Sequence, residues 1–236
     1  MTSCAMLQLS LRECLLILER LVQAAGVPPG LLPSVRDCAL YSAVLPGPGF
    51  GGITGQLALL RGSPAEPLCI QTEQPRLVVD CGGQHAWLVA ETLVDLAVDR
   101  LRRGGVGEVC SVGVAEPGEL RVVAGLAERH RLCATIADEG HGIALRLAPR
   151  PAARPTLLDR IRLEGFRAAS DTWWPLYRAS HDALAPDSFE SRRHAGTIRI
   201  EADGRIVGRN DEDETDLTML VSDPARIRSD VVPSVS

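Results

Sequence analysis

Hydrophobic positions at the beginning of the chain recur at helical intervals. The sequence Ser10-Leu11-Arg12-Glu13 has capping-box spacing, and apolar residues then follow every three or four positions over 11–25 until Gly26. A second helical pattern covers about 30–45 and ends in a glycine-rich run at 46–52, after which 56–60 predicts a short third helix. The pattern therefore predicts an N-terminal pair of helices.

The middle of the chain alternates between strand and helix patterns. Short apolar runs predict strands at 68–72, 77–80, 108–114 and 132–137, and longer amphipathic stretches predict helices at 84–103 and 117–130. Residues 143–147 could close a hairpin with the preceding strand. Strand-helix-strand spacing of this kind requires crossover connections. We therefore predict an α/β fold with a mixed, largely parallel sheet covered by helices.

The last third of the chain has a different organisation. Three prolines predict a linker at 149–156, and 157–184 looks helical apart from Trp173-Trp174-Pro175. Strand patterns at 197–200 and 205–207 flank Asp203-Gly204 and predict a β-hairpin. We thus expect a domain at 1–148, the linker, a segment at 157–210 whose helix and hairpin pack back on the domain, and an acidic tail at 211–236.

Composition narrows the classes of partner and chemistry. The formal net charge is -5 and no dense basic stretch occurs, so nucleic acid and anionic membrane surfaces are not expected partners. All 25 basic residues are arginine, which excludes Schiff-base chemistry and a pyridoxal-phosphate lysine. The seven cysteines form no C-x-x-C pair, and we predict neither a disulfide framework nor a metal site. The absence of a signal-peptide pattern and of a long apolar run predicts a cytoplasmic protein.

Several polar or glycine-rich positions are candidates for ligand contact. His85 and His141 fall at predicted strand ends, where parallel sheets usually present ligands. Arg192, Arg193 and His194 could hold a carboxylate or phosphate, although ordinary solvated charge is the favoured explanation. Residues 47–52 match G-x-G-x-x-G, but a helix precedes them instead of a strand, which favours a connector over a dinucleotide-binding turn.

The order of these segments resembles the malate/L-lactate dehydrogenase type of NAD(P)-dependent oxidoreductase that lacks a Rossmann fold. The resemblance covers about residues 9–148. It rests on the opening helical pair with its Gly-Val-Pro at 26–28, on Val79-Asp80, on the paired glycines at 82–83, on Gly-Val-Gly at 105–107 and on Glu-Pro-Gly at 116–118. The stretch from Tyr177 to Asp211 resembles, more loosely, the C-terminal end of an uncharacterised bacterial family without an assigned activity.

The resemblance carries expectations for individual residues. Gly51 occupies the position of the family's catalytic histidine, Gly55 that of an arginine, and Glu116 that of a second histidine. Loss of an imidazole that exchanges a proton with substrate commonly lowers the rate about 100- to 10,000-fold. The resemblance further places Gly51 and Gly118 in the ligand site.

Three hypotheses follow. The first is a diverged oxidoreductase-like protein that retains a cleft for a small acidic ligand or a nucleotide, with NAD(P)H as the one candidate cofactor. The second is an active NAD(P)H-dependent reductase in which Glu116, His85 or His141 transfers the proton. The third is a non-catalytic partner subunit of another enzyme. A homodimer is compatible with the diverged binding protein and with the active reductase.

Overall fold

The computed structural model describes residues 5–73, 76–151, 155–184, 199–200 and 206–207. The chain divides into two compact units, Met1–Leu184 and Ala185–Ser236. Residues 149–156, the predicted linker, belong to the first unit. In the second unit, Arg199–Ile200 (β8) pairs antiparallel with Ile206–Val207 (β9), so the predicted C-terminal hairpin is present. The predicted contacts of Arg192, Arg193 and His194 and the predicted tail lie outside the described residues.

A layer of three helices begins the first unit. The predicted capping box is present at the start of helix α1 (Leu11–Ala24), where Glu13 N–H donates to the Ser10 hydroxyl. Helix α2 (Leu32–Val44) packs against α1, and helix α3 (Phe50–Arg61) packs against α2. The third helix is longer than predicted because it begins inside the glycine-rich run, at its N-cap Gly49. The predicted helical pair is thus confirmed and extended.

A five-stranded mixed sheet forms the second layer. Its strands are β2 (Cys69–Glu73), β3 (Arg76–Asp80), β4 (Gly107–Val112), β5 (Leu132–Asp138) and β6 (Ile143–Pro149), in the order β2-β3-β4-β6-β5. Strands β3 and β4 are parallel because the long helix α4 (Ala86–Gly104) crosses over between them. The α/β class and the mixed sheet are confirmed.

Parallel pairing is less extensive than the sequence indicated. Strands β2 and β3 form an antiparallel pair, and β6 lies antiparallel between β4 and β5. The second predicted crossover exists: β4 and β5 run in the same direction, and they are connected by a 3-10 helix (Pro117–Val122) and helix α5 (Val123–Glu128). Because β6 folds back between these two strands, the crossover does not create a parallel pair.

The helices cover one face of this sheet. A Cβ atom at Gly107 would lie 3.2 Å from the Ala97 carbonyl oxygen of α4, so the odd-numbered residues of β4 face that helix. On the opposite face, residues such as Arg146 and Cys133 are exposed. None of the helices within the described ranges is long and apolar enough to cross a membrane.

The remaining elements of the first unit include a helix that packs against α1. Helix α6 (Leu157–Glu164) is followed by strand β7 (Phe166–Ala169) and helix α7 (Ser170–Ala179). Strand β7 pairs antiparallel with β1 (Met6–Leu9), and α7 packs against α1 and α3. The sequence predicted a helix over 157–184 interrupted at Trp173-Trp174-Pro175, and this is corrected: strand β7 makes the interruption, and α7 continues through Pro175. Gly165, with φ of +70°, lets the chain leave α6 and enter β7.

Candidate functional site

A cleft of about 460 Å³ opens where the glycine-rich run meets the α6–β7 connection. Gly49, Phe50 and Gly51 line it from the N-terminus of α3, and α6 and β7 supply most of the remaining lining. The volume falls within the usual range for small-molecule sites. A Cβ atom at Gly51 would meet nothing within 4 Å, so the absence of a side chain keeps this part of the cleft open.

Aromatic packing fixes the position of the α3 N-terminus. The buried ring of Phe50 makes edge-to-face contacts with Phe166, at 5.8 Å between centroids, and with Trp173, at 5.4 Å. Edge-to-face pairs of this kind are favourable and directional. The three rings therefore attach the first turn of α3 to β7 and α7, which are the elements on the other side of the cleft.

The charge distribution of the cleft favours an anion. Its lining includes the exposed arginines Arg160 and Arg167 and one exposed carboxylate, Glu164. Within the described part of the chain, neither guanidinium forms an ion pair. The first N–H groups of a helix lack intrahelical acceptors, and the helix dipole adds partial positive charge at the same end. Two guanidinium groups and the α3 N-terminus together suit a carboxylate or phosphate.

A buried polar network holds the glycine-rich loop in place. The Glu119 carboxylate accepts hydrogen bonds from Ser42 Oγ at 2.6 Å, from Trp87 Nε1 at 2.9 Å and from Arg121 at 3.0 Å. The same arginine donates to the carbonyl oxygens of Ser42 and Pro46, at 3.1 and 3.4 Å. Glu119 thus positions Arg121, and Arg121 positions the chain that leads to Gly49.

The hydrogen bonds also keep Glu119 charged. Burial disfavours the carboxylate, but the three donors Ser42, Trp87 and Arg121 outweigh this effect and lower the pKa of Glu119. The network therefore contains an ion pair between the buried Glu119 and the partly buried Arg121, with the side chains 8% and 21% exposed.

His85 is the N-cap of helix α4. Its Nδ1 accepts a hydrogen bond from the Trp87 N–H at 3.1 Å, and its Nε2 lies 2.9 Å from Gln56 Oε1. An Nδ1 that accepts and an Nε2 that faces a carbonyl oxygen define the neutral Nε2–H tautomer. Burial lowers the pKa of His85 to about 4, a shift that the charge of Glu119 only partly opposes. This imidazole is therefore neutral and has a structural role.

The predicted site residues lie in three separate places: Gly51 at the cleft, Glu116 and Gly118 along the chain segment that pairs with His85, and His141 in a turn. Gly51 lines the cleft, whereas Glu116, Gly118, His85 and His141 are not among its lining residues. Glu116 is exposed and has φ of 54°, just after a bridge that joins His85 to Ala115. Gly118 is exposed in the following 3-10 helix. His141 lies in the β5–β6 turn, beside Glu139 and Cys110.

Sequence reasoning did not identify the arginines of the cleft or the Glu119 network. Arg160 and Arg167 stand in a stretch predicted to be a single broken helix, and only the turn at Gly165 brings both to the cleft. Glu119 is separated from Ser42 by the whole of α3, β2, β3, α4 and β4. The sequence contains one indication that Glu119 is important, namely that this acidic residue stands among apolar ones. In the structure those neighbours form a buried helical face.

Comparisons with known proteins leave the family open. No protein-family model matches the sequence, and no curated protein matches it significantly. Among solved structures, it is similar to malate dehydrogenase from Pyrococcus horikoshii OT3, with 15% identity and a TM-score of 0.46 over 64% of this chain and 49% of that one. Malate dehydrogenase from Entamoeba histolytica gives 11% identity and a TM-score of 0.48 over 86% of this chain and 59% of that one.

The likeness has a defined extent. This chain spans about half of the first dehydrogenase and three-fifths of the second. TM-scores below 0.5 at such low identity do not establish a family, and they carry no information about activity. The functional conclusion therefore depends on the cleft itself.

Proposed function

We propose that this chain binds a small acidic ligand in the cleft at the N-terminus of α3. The observation that carries the proposal is the shared lining of that cleft by Gly51, Arg160 and Arg167. The glycine leaves room at the positive end of the helix, and the two arginines supply guanidinium donors, a group that suits a carboxylate or phosphate. The cleft volume suits a small acid better than an entire dinucleotide.

The lining also favours binding over proton-coupled chemistry. By the sequence resemblance, Gly51 stands where a dehydrogenase has its proton-transferring histidine. Arginine does not release its proton under ordinary conditions, so Arg160 and Arg167 cannot take over that role. Glu164 is then the one described acid-base side chain in the lining. We therefore propose a diverged, oxidoreductase-like binding protein that lacks the histidine-dependent reaction.

Ligand screening with a matched pair of variants tests the proposal. The melting temperature of the full chain would be measured with a panel of small dicarboxylates, inorganic phosphate, NADH and NADPH. A bound ligand at 100 times its dissociation constant stabilises the fold by about 2.7 kcal/mol, which raises the melting temperature by about 5 to 10 °C. We expect a small acid to give this shift.

Gly51→Leu and Gly55→Leu separate binding from folding. Both glycines lie in α3, and an added Cβ atom meets nothing within 4 Å at either position, but only Gly51 lines the cleft. Gly51→Leu should abolish the ligand-induced shift, whereas Gly55→Leu should retain it. Equal responses of the two variants would refute the location of the site.

The panel also addresses the alternative hypotheses. A response to NADH or NADPH that survives in Gly51→Leu would favour the reductase, in which Glu116, His85 or His141 would have to transfer the proton. Co-purification of a second, different chain, together with no response to any small molecule, would favour the partner-subunit hypothesis. A monodisperse homodimer would count against it.

A further inference from the structure

Three side chains with metal-binding atoms converge at the β5–β6 turn. The Cys110 thiol, the Glu139 carboxylate and the His141 imidazole each place one ligand atom within 4.8 Å of the other two. Glu139 Oε2 and His141 Nε2 are 4.0 Å apart. Neighbouring ligands of a tetrahedral zinc ion are about 3.5 Å apart, given bond lengths of about 2.0 to 2.3 Å. Side-chain movements of about 1 Å would bring the three atoms to that spacing.

The backbone of the turn brings the three groups together. Ser111 of β4 pairs with Ile143 of β6, so the turn just before β6 lies over the end of β4. A Cβ atom at Gly142 would come within 2.7 Å of the Ser111 carbonyl oxygen and 3.0 Å of Cys110 Sγ. Only a glycine allows this close approach, which places the turn directly on the thiol.

The cluster lies on the sheet face that points away from α4. Residues with odd numbers in β4 face the helix, so Cys110 projects to the opposite side. Exposure increases across the cluster. Cys110 is 2% exposed, the side chain of Glu139 is 17% exposed, and that of His141 is 71% exposed. A metal ion bound here would have a buried thiolate on one side and a coordination position open to solvent on the other.

An arginine orients the carboxylate of the cluster. Arg146 donates to Glu139 Oε1 at 3.0 Å, and it also donates to Glu108 Oε2 at 2.9 Å. The other oxygen, Glu139 Oε2, is the one that faces His141. Hydrogen bonds from outside the ligand set commonly fix ligating carboxylates in this way.

We propose that Cys110, Glu139 and His141 form a binding site for a divalent transition metal, with Zn²⁺ as the best fit. Thiolate, imidazole and carboxylate are together the ligand types that zinc prefers, and three protein ligands leave a fourth position for water or an anion. The site is independent of the α3 cleft, because it shares no residue with the lining of that cleft.

Metal titration of the full chain tests the inference. Zn²⁺ affinity would be measured by competition with a chromophoric chelator, and Co²⁺ would be added separately to record its absorption spectrum. We expect one tightly bound Zn²⁺ per chain and, with Co²⁺, a thiolate-to-metal charge-transfer band. That band reports a cysteine ligand, so it distinguishes this site from cation binding by the acidic residues at 211–214.

Matched variants identify the ligands. His141→Ala changes an exposed side chain, so the fold should tolerate it. It should weaken Zn²⁺ binding at least about 100-fold. That figure is the upper end of the loss seen when a residue that only supports a metal ligand is removed. Cys110→Ser should remove the Co²⁺ charge-transfer band. Two variants serve as controls. His130→Ala changes a partly exposed histidine beside Asp95, and Cys133→Ser changes an exposed cysteine of β5. Both should bind Zn²⁺ as tightly as the wild type does.

The outcomes decide the proposal even if one variant fails to fold. Should Cys110→Ser be insoluble because its position is buried, His141→Ala and Glu139→Gln still test the ligand set. Unchanged Zn²⁺ affinity in His141→Ala, or a charge-transfer band lost in Cys133→Ser, would overturn the assignment. Failure of the wild type to compete with the chelator would overturn it as well.

Discussion

The buried imidazole of His85 should make the fold sensitive to mild acid. Burial lowers the pKa of His85 to about 4, whereas the same side chain in an unfolded chain has a pKa of about 6.5. As the pH falls from 6.5 towards 4, the unfolded state takes up a proton that the folded state excludes. The stabilisation is therefore complete above about pH 6.5 and is lost progressively below it.

The size of the effect follows from the difference between the two pKa values. A gap of about 2.5 units corresponds to a total loss of about 3 kcal/mol once the pH is below 4. At pH 5 the unfolded chain is mostly protonated at this position and the folded chain is mostly not. The loss between pH 7 and pH 5 is then about 2 kcal/mol.

Urea unfolding of the wild type and of His85→Asn at pH 7, 6 and 5 measures this contribution. Asparagine is also a good N-cap, and it does not titrate. The variant should be less stable at pH 7 but should lose about 2 kcal/mol less than the wild type between pH 7 and 5. The fluorescence of Trp87 would report unfolding around His85, since the centroids of the two rings are 5.2 Å apart.

An exposed histidine provides the control for this comparison. His141→Asn makes the same chemical change at a side chain that is 71% exposed, and it controls for the loss of one histidine as such. Identical pH dependence in the wild type and His85→Asn would refute the argument, because it would mean that the buried imidazole accepts its proton without unfolding.

Three further substitutions test the Glu119 network, the contact between α5 and Tyr41, and helix α3. Glu119→Gln should lower the free energy of unfolding by about 1 to 3 kcal/mol, because it removes the charged acceptor of three hydrogen bonds, and chemical denaturation would measure the change. Gly125→Ala should destabilise by about 1 to 3 kcal/mol, because its Cβ atom would lie 2.1 Å from the Tyr41 ring, whereas Gly55→Ala should stabilise α3 by about 0.5 to 1 kcal/mol. A stabilising Gly125→Ala would show that the ring moves aside without cost.

Local patterns predicted most of the elements of the fold. The capping box at Ser10, the long amphipathic helix ending at the glycine pair 104–105 and the strand at 132–137 all depend on neighbouring residues, and all are present. The short β1–β7 ladder was missed because each strand has four residues, too few for a periodic signal, and depends on a partner far along the chain.

The arrangement of these elements was harder to predict than their existence. Spacing indicated crossovers, but it could not show that β6 would be inserted between β4 and β5. The same long-range pairing brings the β5–β6 turn to Cys110, which is why a sequence search for closely spaced ligands predicted no metal site. A site whose residues come from different strands can be predicted only if the strand register is known. A single sequence does not state that register explicitly.

Glycines in the chain have opposite effects at its two proposed sites. At Gly142, an added Cβ atom would collide with the β4 backbone, so glycine is required for the turn to reach the Cys110 thiol. At Gly51, an added Cβ atom meets nothing, so the fold would accept a side chain there, and its absence serves only to keep the cleft open. A side chain at 142 should therefore perturb both stability and metal binding, whereas one at 51 should perturb ligand binding alone. That contrast lets the two proposals fail independently of each other.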